Sequence, residues 1–204
     1  MNRIALVNKV RTLLDEISSE NMPIVDVGMV DNNPLDEIID SLLDESAVEI
    51  LMKAPFHRLD ISSATVTPEQ NFNDKTIGKF ALPEDFLRLV YFTMSDWLRP
   101  VTELAIKGDP VSQRQSIKYI RGGLARPVGV LVKDDGGLKI EYYSTRVERH
   151  EVSEFKYIAR TTAEYISDEM VDAMCWICAG KTLVVMGQPE QAKNAYDNAQ
   201  SLMV

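Results

Sequence analysis

Cys175-Trp176-Ile177-Cys178 has the Cys-x-x-Cys spacing of a redox or metal site. A redox pair works at a helix N-terminus following a strand, where the helix dipole lowers the thiol pKa. This pair falls well inside a predicted helix, among Met174, Trp176 and Ile177, and a zinc site needs a second ligand pair that the chain does not offer. The spacing therefore reads as two small core residues. Gly180-Lys181-Thr182 has the end of a phosphate-binding loop, but Cys175 stands where the first glycine of that pattern belongs, and the setting is again mid-helix. The two histidines, His57 and His150, are isolated in sequence. His57 follows Pro55-Phe56, and His150 lies in the charged run Arg146-Val147-Glu148-Arg149-His150-Glu151. Either could in principle serve an acid–base role, but both read as incidental. Asp36/Glu37 and Glu84/Asp85 sit at predicted helix starts, where carboxylates complement the dipole. Asp134 and Asp135 are turn residues without the alternate acidic ligands and distal glutamate of a calcium loop. No catalytic residue, cofactor or metal is expected, and the chain reads as a non-enzyme.

Charge is the more informative chemistry. Arg114, Lys118, Arg121 and Arg126, with Arg146 and Arg149 further on, make the middle of the chain its most basic region. It reads either as a phosphate-contacting patch or, preferably, as an intersubunit patch. The acid-rich set Asp31, Asp36, Glu37, Asp40, Asp44, Glu45 and Glu49 is its natural mate in a head-to-tail assembly.

These residues must be held by elements that the sequence also outlines. Ile4, Leu6, Val7, Val10, Leu13, Leu14 and Ile17 recur at helical spacing and predict an amphipathic helix. Residues 18–33 are polar and irregular. Asn33 caps a second helix, with Pro34 in its first turn, which carries Leu35, Ile38, Ile39, Leu42, Leu43, Val48 and Leu51 and stops by Pro55. Short extended pieces follow at 58–61, 64–67 and 76–81. Pro83-Glu84-Asp85 then predicts a third helix with Phe86, Leu87, Leu89, Val90 and Met94 as its buried stripe and Trp97 anchoring it on a sheet. Val101 to Ile106 reads as a strand, and Asp109-Pro110 starts a short helix toward Tyr119. Residues 127–144 make the clearest hairpin, alternating on both sides of Asp134-Asp135-Gly136-Gly137. A strand at 154–160 precedes an apolar helix capped by Ser167. Gly187 stops it, and Gln188-Pro189-Glu190 restarts a final helix, giving a helical hairpin.

The fold class is therefore α+β: an N-terminal helical segment (1–55), a central antiparallel β-rich region with one core helix (56–165) and a C-terminal helical hairpin (166–204), read as one compact domain. With 204 residues, 45% hydrophobic and 26% charged, the chain can bury a core. A net charge of −9 argues against a chain-wide nucleic-acid grip, but suits a channel wall that DNA passes without sticking. No apolar run approaches the roughly 18 residues of a membrane-spanning helix. The N-terminus lacks the apolar core of a signal peptide, so synthesis in a cytoplasm is expected. Two cysteines make no disulfide framework.

Leu82-Pro83-Glu84-Asp85-Phe86-Leu87-Arg88-Leu89-Val90, then Met94-Ser95-Asp96-Trp97-Leu98-Arg99-Pro100-Val101, resembles a pattern in crAss-like, short-tailed phages of Bacteroidetes. Arg126-Pro127-Val128-Gly129-Val130-Leu131-Val132 and Leu138-Lys139-Ile140-Glu141-Tyr142-Tyr143-Ser144 extend the likeness, which covers mainly residues 80–145. The layout, helices at both ends of a β-rich middle, is similar to head–tail adaptors of short-tailed phages. The resemblance implies a structural virion protein, made in the bacterial cytoplasm and placed in the head–tail connector. Copies would form a ring, dodecameric if it shares the portal's symmetry, that joins the portal to neighbouring connector or tail proteins and continues the channel for genomic DNA. Two other readings are a soluble nucleic-acid-binding module using the basic middle and a hydrolase in which His57 converges with an acid.

Overall fold

The computed structural model describes residues 1–19, 33–134 and 136–204. In chain order it runs α1 (Arg3–Ser19), α2 (Asn33–Lys53), β1 (Ser62–Ser63), β2 (Glu69–Gln70), β3 (Gly78–Ala81), β4 (Phe86–Met94), β5 (Leu104–Ile106), α3 (Pro110–Gln115), β6 (Gly129–Asp134), β7 (Gly137–Tyr142), β8 (Val152–Ala159), α4 (Val171–Val185) and α5 (Pro189–Leu202). The class is α+β. The chain divides into two compact units rather than the single one expected: Met1–Asp60 with Arg160–Val204, and Ile61–Ala159. The N-terminal and C-terminal helical segments thus belong to the same unit. The predicted irregular segment falls almost wholly outside the described residues, as do Asp31 and Asp135.

The helical unit is organised around α4, which packs on α1, α2 and α5. A helix that is apolar on all sides must be covered on all sides, and Val171, Met174, Cys175, Ile177, Cys178 and Leu183 are all buried. Helix α1 contributes Leu6, Val10 and Leu14, and α2 contributes Ile39, Leu43, Ala47 and Ile50. Helix α5 buries only Ala192, Ala195 and Ala199; these small side chains let it lie close to α4. Gly180 completes that approach, since a Cβ there would stand 2.9 Å from the Tyr196 ring. Gly187, at φ 76°, closes α4 in the left-handed conformation. Its N–H donates to the Val184 carbonyl and that of Gln188 to Leu183. Ser167 makes no side-chain capping bond; a 3-10 turn, Asp168–Met170, leads into α4 instead.

The second unit contains two sheets. One has the order β1-β8-β4, all antiparallel; the other has the order β2-β3-β7-β6-β5 and is antiparallel except for the parallel pair β5–β6. The central region is therefore mixed, not purely antiparallel as expected. Its main core joins the sheets face to face: Leu89, Phe92, Phe155 and Tyr157 from one, Phe80, Ile140 and Tyr142 from the other. Phe80 meets Phe92 and Phe155 edge-on, with centroids 5.5 and 5.7 Å apart. Such contacts add to the area they bury.

The predicted third helix is a strand. Phe86–Met94 pairs with β8 along its length, and register shifts interrupt the ladder between Phe86 and Arg88, Leu89 and Tyr91, and Thr93 and Met94. These irregularities break the period-2 alternation, so the apolar residues fall at spacings a helix also satisfies. Trp97 is buried beside Phe92 and Tyr142, packing between strands rather than under a helix. The extended pieces expected at 58–61 and 64–67 lie outside any strand, and Arg58 ends a 3-10 turn that starts at Phe56. Helix α3 ends at Gln115, short of Tyr119. The predicted hairpin is present as β6–β7, paired from Gly129↔Tyr142 to Asp134↔Gly137.

Candidate interaction surface

The basic residues of the middle region lie on or just after α3, in the long connection to β6. Pro110 opens α3 with its fixed φ, and Asp109 ties the start down by accepting from the Ile106 N–H at 3.0 Å. Gln115 is buried and uses both ends of its amide: Nε2 donates to the Val111 carbonyl at 3.1 Å, and Oε1 accepts from the Gly122 N–H at 3.1 Å.

Arg121 locks the connection in place. Its side chain is only 7% exposed. Nε donates to the Gln115 carbonyl at 2.8 Å, while Nη1 donates to Asp74 Oδ2 at 2.8 Å and to Thr76 Oγ1 at 3.0 Å. The guanidinium also lies 5.7 Å from the centroid of Tyr143. Thr76 in turn donates its hydroxyl to Asp74 Oδ1 at 2.6 Å. The Thr76 hydroxyl, then the Arg121 guanidinium, hold the Asp74 carboxyl down at about 2. Gly122 has no room for a side chain, since a Cβ would stand 2.2 Å from the Arg126 carbonyl. Beyond it, Leu98 N–H donates to the Leu124 carbonyl at 3.0 Å, and Leu124 packs on the main core.

The predicted basic set therefore splits. Arg121 is an internal tie, whereas Arg114, Lys118 and Arg126 are exposed. Among them stand Ile117, Tyr119 and Ile120, which are 51%, 96% and 56% exposed. That apolar component was missed in the sequence; the Ile-Lys-Tyr-Ile run was its only signal.

The described members of the acidic set lie on α2 of the helical unit. Asp40 and Asp44 both pair with Arg3, Asp44 at 3.1 Å, and Asp36 faces Arg11 at 3.4 Å. Asp44 also accepts the Ala163 N–H at 3.0 Å, which is the first cause of its lowered pKa, with Arg3 adding to it. Glu37 is exposed. Glu45 and Glu49 share Lys181 at 2.7 and 3.1 Å, so the lysine of Gly180-Lys181-Thr182 ties α4 to α2.

Cys175 and Cys178 are free and buried, and burial pushes their thiols up to about 12 and about 11. Such thiols are poor nucleophiles. His57 is exposed in the helical unit. His150, in the other unit, has both ring nitrogens engaged. Nε2 donates to the Lys75 carbonyl at 2.6 Å, which leaves Nδ1 to accept from the Tyr142 hydroxyl at 2.8 Å. Among the described residues, no three His, Cys, Asp or Glu side chains are grouped to hold a metal ion, and no helix is long and apolar enough to cross a membrane. A groove of about 810 Å³ lies over Ile77, Gly78 and Val132, with Lys79, Lys107 and Glu141 among its mixed charges. No protein-family model matches the chain, and a search of curated proteins returns no match either.

Proposed function

We propose that this chain is a structural virion protein whose copies form a ring in the head–tail connector of a short-tailed phage. The ring joins the portal to the next connector or tail protein and continues the DNA channel, with the portal's twelve-fold symmetry as the expected copy number. One observation carries the reading beyond the sequence likeness. Three of the four stretches that resemble crAss-like phage proteins meet in one core: Leu89 from the first and Met94, Trp97 and Val101 from the second pack with Ile140 and Tyr142 from the last. The likeness thus follows a folded unit rather than scattered surface positions. The layout adds support, because helices lie at both ends of a β-rich middle, which is the arrangement that carries the likeness to head–tail adaptors. Work of this kind is mechanical and draws on surfaces rather than a reaction centre.

Antibodies raised against the purified chain and applied to purified virions test the proposal. Labelling at the single vertex between head and tail is expected. Labelling elsewhere on the particle, or none on intact and partly disassembled particles, would contradict it.

A further inference from the structure

The loop and the helical unit have opposite electrostatics. The helical unit carries 18 Asp and Glu against 8 Lys and Arg, a net −10, while the β-rich unit carries 13 against 14, a net +1. Between Asp109 and Asp134 there is no acidic residue at all, only Arg114, Lys118, Arg121, Arg126 and Lys133. We propose that the loop of residues 111–126 is the surface by which one copy of this chain docks on the acidic α2 face of a second copy. The inference rests on the ring reading and names the contact that would build it.

Two features of the loop and one of α2 support a docking role. It is held in one shape by the buried Arg121 and Gln115 side chains, so little conformational entropy remains to be lost on binding. Its exposed surface pairs cations with Ile117, Tyr119 and Ile120. Exposed apolar side chains rimmed by charge are the composition of a protein-binding patch. Phosphate backbone would satisfy the cations but leave both isoleucines uncovered, so the combination favours a protein partner over nucleic acid. On the receiving side, Asp40 and Asp44 remain 48% and 46% exposed while paired with Arg3, and Glu37 is exposed. Donor and recipient are different surfaces of one chain, so the contact is heterologous and repeats head to tail until it closes into a ring.

The test uses the full chain and two variants, compared by native mass across a concentration series and by circular dichroism. Arg114→Glu/Lys118→Glu/Arg126→Glu changes exposed side chains and leaves Arg121 untouched. It should weaken assembly about tenfold or more, since reversed charges face an acidic surface. Ile117→Ser/Ile120→Ser removes the apolar part with the charges intact, should also weaken assembly, and decides the matter if the first variant unfolds. Tyr119→Cys/Glu37→Cys, treated with a short bismaleimide, should give a ladder of dimers and larger species. Wild-type assembly of both loop variants overturns this contact and leaves the ring standing. Cross-links confined to monomer mass overturn it too, because the loop then meets its own helical unit. So does double-stranded DNA binding that the charge reversal abolishes while assembly persists. A wild-type chain that never assembles, alone or with the portal, overturns the contact and the ring together.

Discussion

Arg121 donates to Asp74 at 2.8 Å across 47 positions of sequence, joining the connection after α3 to the turn before β3. Thr76 closes the arrangement by donating to Asp74 and accepting from Arg121. One buried guanidinium thus fixes the base of a loop whose outer side chains are exposed.

Removing that tie should loosen the loop before it unfolds the unit. Arg121→Met leaves Asp74 without its charged partner and should cost roughly 2–3 kcal/mol in urea unfolding. Asp74 is held at about 2 against an ordinary 3.8, a depressed pKa. Its contribution is therefore present above about pH 4 and is lost as the pH falls toward 2. Asp74→Asn should be less stable than wild type at neutral pH and should flatten that part of the acid limb. An unchanged acid limb in Asp74→Asn would show the pairing to be energetically idle.

Gly180 sets two effects against each other. Alanine in mid-helix gains about 1 kcal/mol of propensity, but its Cβ would stand 2.9–3.1 Å from three atoms of the rigid Tyr196 ring. Overpacking of this kind costs about 1–3 kcal/mol, so Gly180→Ala should lower stability. Gly180→Ala combined with Tyr196→Ala should recover part of the loss, and thermal melts of the three proteins check it.

Gly78 is the tightest site in the β-rich unit. A Cβ would fall 2.1 Å from the Tyr142 hydroxyl and 2.7 Å from the Glu69 carbonyl. Tyr142 is fully buried and donates to His150, so it has nowhere to retreat. Gly78→Ala should cost about 2–3 kcal/mol and shift the imidazole resonances of His150.

The cysteines should be silent in the folded chain. With burial raising Cys175 to about 12 and Cys178 to about 11, maleimide or disulfide reagents at neutral pH should label neither until the helical unit opens. The labelling rate should then follow denaturant. Rapid labelling of native protein would mean that α4 is not covered as described.

The hairpin β6–β7 is legible because turn chemistry and alternation agree over its whole length. Helices α1, α2, α4 and α5 are legible because their apolar spacing is long and uninterrupted. Strand β4 is not. Pro83-Glu84-Asp85 imitates a helix start, and the register shifts scatter Leu89, Phe92 and Met94 off strict alternation. The dense Val90-Tyr91-Phe92-Thr93 run was the strand signal that should have outweighed both. The division of the basic set was also hidden. Nothing local separates Arg121 from neighbouring cations such as Lys118 and Arg126; only its meeting with Asp74, Thr76 and Tyr143 does. The acidic set is similar, since Arg3 finds Asp40 and Asp44 only once α1 lies beside α2.

The native mass of the purified chain, alone and mixed with assembled portal from the same phage, tests the central claim most directly. A closed ring, twelve copies on the portal, should sediment with it as one complex. A chain that stays monomeric at every concentration and does not bind the portal would contradict it.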